Sequence, residues 1–119
     1  MKVALVALAG AAGALARYGI GSAAGTRSFP WATLGINLAG SLALGFLIRA
    51  GELRGWSTLV TVPLAVGFLG AFTTFSTFSV ETQTLLRDGR PAAAGAYVSL
   101  SVLGGVALAA AGYAVAGRA

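Results

Sequence analysis

The ten residues GAFTTFSTFS, numbered 70 to 79, carry the densest concentration of chemistry in this chain. Five of them bear hydroxyls (Thr73, Thr74, Ser76, Thr77, Ser79), and three phenylalanines recur at steps of three (Phe72, Phe75, Phe78). Further along, Tyr97 and Ser101 stand four apart, as do Asn37 and Ser41, so each pair projects from one face of a helix. None of this is the equipment of an enzyme. The chain has no cysteine and no histidine, and its one lysine is Lys2. Thiolate metal sites, disulfides and imidazole acid–base chemistry are therefore absent, and the serines lack their usual base. What remains is non-covalent: hydroxyl and amide hydrogens to donate, and aromatic rings beside them.

The elements that must position these groups are set by composition. Of 119 residues, 57% are hydrophobic and 9% charged, which leaves a water-soluble domain almost nothing to show to solvent. The charges fall near the ends of four long apolar runs, at about 3–24, 31–50, 58–86 and 92–117. Each run can cross a hydrocarbon core of about 30 Å, for which about 20 helical residues suffice. The expected fold is an all-α membrane protein, one four-helix transmembrane domain over residues 1–119 with short loops. The first run is too long for a signal peptide's apolar region and contains Arg17.

The net charge of +5 does not point to nucleic acid, because the eight basic residues are scattered singly at membrane boundaries. Anionic lipid headgroups of the bilayer are their natural neighbours. Four spans put Lys2, Arg49, Arg54 and Arg118 on one side and Arg27, Arg87 and Arg90 on the other. Four against three is almost no bias under the positive-inside rule. Insertion in both orientations is one expectation, with an antiparallel pair of opposite copies as its product; a single topology fixed by flanking features is the other.

Several residues read two ways. Arg17 either snorkels to the interface or hydrogen-bonds carbonyls at a helix break and draws anions to a vestibule. Asn37, inside the second span, is either interhelical glue or a pore-lining N–H donor. The third span is longer than a straight crossing needs, and Gly70, followed by two threonines, is the expected point of interruption. Carbonyls freed there could hold a hard cation such as sodium. Phe75 and Phe78 share one face beyond it, with Thr74, Thr77 and Glu81 on another; phenyl rings facing lipid and hydroxyls bonded to the preceding turn are the ordinary alternatives. Glu81 either reaches the loop or serves as an intramembrane acid. Tyr97 is either an interfacial belt residue or part of a hydroxyl line that leads through Ser101 toward Gly104 and Gly105. In the first span, small residues four apart (Ala9 and Gly13, Gly10 and Ala14) let backbones approach closely.

Taken together, GALARY at 13–18, TLGINLAGS at 33–41 and GAFTTFSTFS at 70–79 make the chain resemble the Fluc (CrcB) fluoride channels over its whole length. Ala32 departs from the glycine common there, at a packing position. The resemblance implies a multi-pass cell-membrane protein, an antiparallel dual-topology homodimer with a break in the third helix, and passive, selective export of fluoride. It implies a structural sodium ion held by backbone carbonyls at Gly70 and Thr73. The fluoride pathway it implies comprises Asn37, Phe75, Phe78, Tyr97 and Ser101, with Ser76 and Thr77 on the polar track and Arg17 and Glu81 in vestibule or structural roles.

Such a function gives the opening segment a purpose. Fluoride is tightly hydrated, and stripping an ion costs on the order of tens of kcal/mol by Born reckoning. Ring edges carry the positive end of the aromatic quadrupole, so phenyl rims, an amide and hydroxyls can replace water together. The runner-up reading, a small multidrug-resistance-type proton-coupled antiporter, needs a carboxylate in the first span, and there is none. A non-transporting assembly subunit, its polar residues serving only as glue, is the third.

Overall fold

The computed structural model describes all residues, 1–119, and consists of helices alone. Four helical stretches are long and apolar enough to cross a membrane: α1 (Lys2–Ala24), α2 (Trp31–Arg54), a composite third span (Thr58–Arg87) and α6 (Pro91–Arg118). The composite begins as α3 (Thr58–Val62), widens into a π-helix (Pro63–Leu69), tightens again as α4 (Gly70–Phe72), breaks, and resumes as α5 (Phe75–Arg87).

Local chemistry sets most of the ends. The Gly55 φ of 61° closes α2 in the left-handed conformation that glycine adopts without penalty. That stop comes later than the sequence implies: the segment at 51–57, expected as loop, is helical through Arg54. Ser57 caps α3 by accepting from the Leu59 amide at 3.1 Å. Pro91 occupies the first turn of α6, where a missing N–H costs nothing.

Helix packing is governed by glycine. α2 and α6 press together where Gly45 faces the Ala109 carbonyl and Gly112 faces the backbone of Leu42 and Phe46, each too close to admit a Cβ. On the opposite side α1 lies against the π-helix, with Gly13 on Phe68, and with Gly67 on Val6 and Ala9. Lipid provides no hydrophobic drive between helices, so dispersion gained through this proximity holds the bundle. Val3, Leu8, Leu15, Val66, Leu103 and Val106 remain exposed, as an outer surface solvated by acyl chains would be. The small core that does exist, Leu34, Leu85, Ala94 and Tyr97, sits where α2, α5 and α6 meet.

Candidate functional site: the helix break and its cleft

The interruption of the third span is the centre of the site, and every polar group around it can be traced. It lies not at Gly70, which keeps helical torsions (φ −63°, ψ −35°), but at Thr73 (φ −84°, ψ 158°) and Thr74 (φ −150°, ψ 122°). Those two extended residues divert the hydrogen bonds of a continuous helix. Asn37 of α2 takes over at Thr74, accepting from its amide at 2.8 Å through Oδ1 and donating to its carbonyl at 3.0 Å through Nδ2. Its carboxamide does both at once by presenting a carbonyl oxygen and an NH₂ group side by side. Asn37 therefore glues α2 to the break, and only the second hydrogen of its amide is left for anything else.

Arg17 resolves in the same way. Its Nε donates to the Ala71 carbonyl at 3.1 Å, so it serves the broken helix rather than reaching for the interface. Thr73 caps its own turn: both its amide (3.0 Å) and its hydroxyl (2.9 Å) donate to the Leu69 carbonyl. The Thr74 hydroxyl opens α5 by accepting from the Thr77 amide at 3.2 Å, while donating to the Thr77 hydroxyl at 3.1 Å.

The Gly70 and Thr73 carbonyls are among those that this arrangement leaves over. In an unbroken helix Gly70 would receive the Thr74 amide and Thr73 would receive the Thr77 amide; the first goes to Asn37 and the second to the Thr74 hydroxyl. Gly70 and Thr73 also border one cleft, and bare carbonyl oxygens without a competing cation are the donor set a hard cation prefers. The residues expected for a sodium ion thus fit one chemically.

That cleft has a volume of about 320 Å³ and brings together Asn37, Ser41, Gly70, Thr73, Phe75, Phe78 and Ser101, with no charged side chain in its lining. The Phe75 and Phe78 rings lie 5.8 Å apart at 50°. Phe78 continues to Tyr97 at 5.1 Å and 59°, and Phe29 meets Tyr97 edge-on at 5.5 Å and 77°. Ser101 contributes a hydroxyl that is buried without any hydrogen-bond partner. Such a group carries a cost unless something comes to bond it.

Not every expected residue joins this set. Ser76 is exposed, its hydroxyl within reach of Thr74 only, and Thr77 borders a separate recess with Arg17, Tyr18 and Thr33. Neither lines the cleft. Tyr97 is not a belt residue: it is fully buried (0% exposed), and its hydroxyl donates to Glu81 Oε1 at 3.1 Å. Glu81 in turn borders a mouth of about 560 Å³ with Arg27, Asp88 and Arg90, at the end of α5. Two contributors escaped the sequence reading. Phe29 left a trace as the aromatic pair around Pro30 in SFPW, ambiguous with a membrane-edge anchor; the π-helix left only Pro63.

Comparison with known proteins bears on the same elements. The family model described as CrcB-like protein, Camphor Resistance (CrcB), matches residues 4–113. A protein of Hyphomonas neptunium named fluoride-specific ion channel FluC is 48% identical over 107 residues, covering 86% of this chain and 84% of its own. FluC 1 of Symbiobacterium thermophilum is 46% identical, with 85% and 86% covered, and FluC 2 of Geobacillus kaustophilus is 41% identical, with 93% and 89% covered. With the match running from the first span through the fourth and taking in Arg17, Asn37 and the whole break, the chain belongs to the CrcB family.

Proposed function

We propose that the chain is a fluoride channel of the cell membrane, a passive conductor and not an enzyme, working as an antiparallel homodimer. The observation that carries this reading is the uncharged cleft at the break, bordered both by the Phe75 and Phe78 side chains and by a residue whose buried hydroxyl has no hydrogen-bond partner. An anion arriving there finds neutral hydrogens from Phe75 and Phe78, from the spare Asn37 hydrogen and from Ser101, with Tyr97 beside them. The start of α5 adds the positive end of a helix dipole next to the cleft. Many modest donors without a fixed cation let the ion enter and also leave. At the mouth, Arg27 and Arg90 offset Glu81 and Asp88, which would otherwise repel an approaching anion. Ser76, Thr77 and Arg17 act in this scheme by holding the start of α5 and the end of α4. Names of the relatives support the substrate, since each is a fluoride-specific ion channel.

The incompleteness of one chain supports a second copy. Phe75, on the proposed pathway, is 79% exposed, and the cleft it borders is not enclosed by the single chain. A copy in the opposite orientation closes it, and balanced flanking charges permit that orientation. Gly70 and Thr73 of both copies would hold a structural sodium ion, whose charge satisfies the carbonyls released by the break and ties the copies together. The antiporter reading finds no support: Glu81, the candidate intramembrane acid, is engaged by Tyr97 and lies outside the cleft.

Sealed vesicles holding the purified protein and a fluoride load test the proposal. Fluoride leaves without proton movement if it is right. Proton-coupled cation uptake, or no flux of any kind, overturns it.

A further inference from the structure

The hydroxyls on α6 recur every fourth residue, Tyr97 then Ser101, and the next position on that line is Gly105, which has no side chain. α2 fills the gap. The Ser41 Oγ lies 3.6 Å from the point that a Cβ on Gly105 would occupy, in ordinary van der Waals contact with it. Ser41 and Ser101 border the same cleft, together with Asn37 and Phe78. Gly105 stands about 6 Å beyond Ser101 by helical rise, one step along the direction in which Tyr97 and Ser101 point. The buried, unpaired Ser101 hydroxyl brings the line to that spot with a free donor.

We propose that Ser41 supplies the donor that α6 lacks, so that the anion path crosses from α6 to α2 after Ser101; this rests on the fluoride-channel reading above. In the structure the Ser41 hydroxyl donates to the Asn37 carbonyl of its own helix at 2.8 Å. That carbonyl does not depend on the hydroxyl, because the helix also gives it the Ser41 amide. A hydrogen bond to an ionised acceptor is roughly twice as strong as one between neutral groups. An arriving anion therefore draws the hydrogen away from the carbonyl by simple rotation about the Cβ–Oγ bond, and the hydrogen swings back when the ion moves on. No proton is transferred and no other group has to move.

The test transplants the hydroxyl. Fluoride efflux from proteoliposomes is compared for the native protein, Ser41→Ala, Ser41→Ala with Gly105→Ser, and Ser41→Ala with Gly105→Ala, dimer content being checked in each. Ser41→Ala is expected to slow efflux about tenfold, the loss of one donor to a charge. Adding Gly105→Ser restores most of the rate, and adding Gly105→Ala does not. Efflux unchanged in Ser41→Ala, or equal rescue by Gly105→Ala, overturns the inference and leaves the channel reading standing. A native protein without fluoride efflux overturns both. Should Ser41→Ala fail to assemble, Ser41→Cys keeps the volume with a weak donor and is expected to show the same loss; a native rate there overturns the inference.

Discussion

Asn37 joins two functions that pull in different directions: both ends of its amide hold the Thr74 backbone, and one hydrogen is left over. Asn37→Asp removes the donor and sets a carboxylate against the Thr74 carbonyl. It is expected to lower stability by about 1–3 kcal/mol, the cost of unsatisfied buried polar groups, and to suppress fluoride efflux because a negative charge then borders the path. Thermal unfolding in detergent and vesicle efflux read the two effects separately; native values in both contradict the assigned role. The two phenylalanines divide in another way. Phe75 is exposed in the single chain, whereas Phe78 packs against the Leu34, Leu85, Ala94 and Tyr97 cluster and touches the Tyr97 ring. Both Phe75→Ile and Phe78→Ile should cut fluoride efflux and leave dimers intact. Phe78→Ile should in addition cost about 0.5–1.5 kcal/mol from the lost ring pair, which the same unfolding measurement detects. Unchanged efflux in either variant removes that ring from the pathway.

At the scale of elements, the spans were legible because lipid imposes a single rule, that backbone polar groups be satisfied within a helix. Apolar length and flanking charge then suffice to find all four. The interruption was legible too, from Gly70 and the threonines after it, but its position was not. The chain leaves the helix at Thr73 and Thr74 because Asn37 takes the Thr74 amide and the Thr74 hydroxyl takes the Thr77 amide, and the first of those partners is 37 residues away in sequence. No local pattern encodes a partner at that distance. The π-helical turn shares the problem: Pro63 signals only that one amide is missing. Site membership was partly legible. Phe75, Phe78 and Ser101 meet in the cleft, while Ser76 and Thr77 do not, since their hydroxyls lie against the Thr74 hydroxyl that caps α5. Close helix contacts give an element-scale prediction. Gly45→Val drives a branched side chain into the Ala109 carbonyl, whereas Gly19→Val meets nothing within 4 Å. The first is expected to destabilise by about 1–3 kcal/mol or more through overpacking, and the second to cost little; similar melting temperatures for the two would contradict the α2–α6 packing described.

On the proposed function, the single chain is half of an antiparallel pair. Flanking charges of four against three leave insertion undecided, so accessibility labels attached at the C-terminus should react from both sides of the membrane. Labelling from one side alone rejects the antiparallel pair. On the proposed antiparallel pairing sodium belongs to the same scale, because the Gly70 and Thr73 carbonyls of one copy would be joined by those of the other. Replacing sodium with a large organic cation should therefore lower the melting temperature and the dimer content together, as expected when a ligand that binds only the assembled state is removed. The most direct measurement concerns the anion itself: current through the reconstituted protein under a fluoride gradient with an independent pH gradient imposed. A fluoride-selective passive channel gives a reversal potential that follows fluoride and ignores both protons and chloride. A reversal potential that follows protons, or a bilayer that stays silent with assembled protein in it, contradicts the claim that neutral hydrogens at the break carry fluoride across.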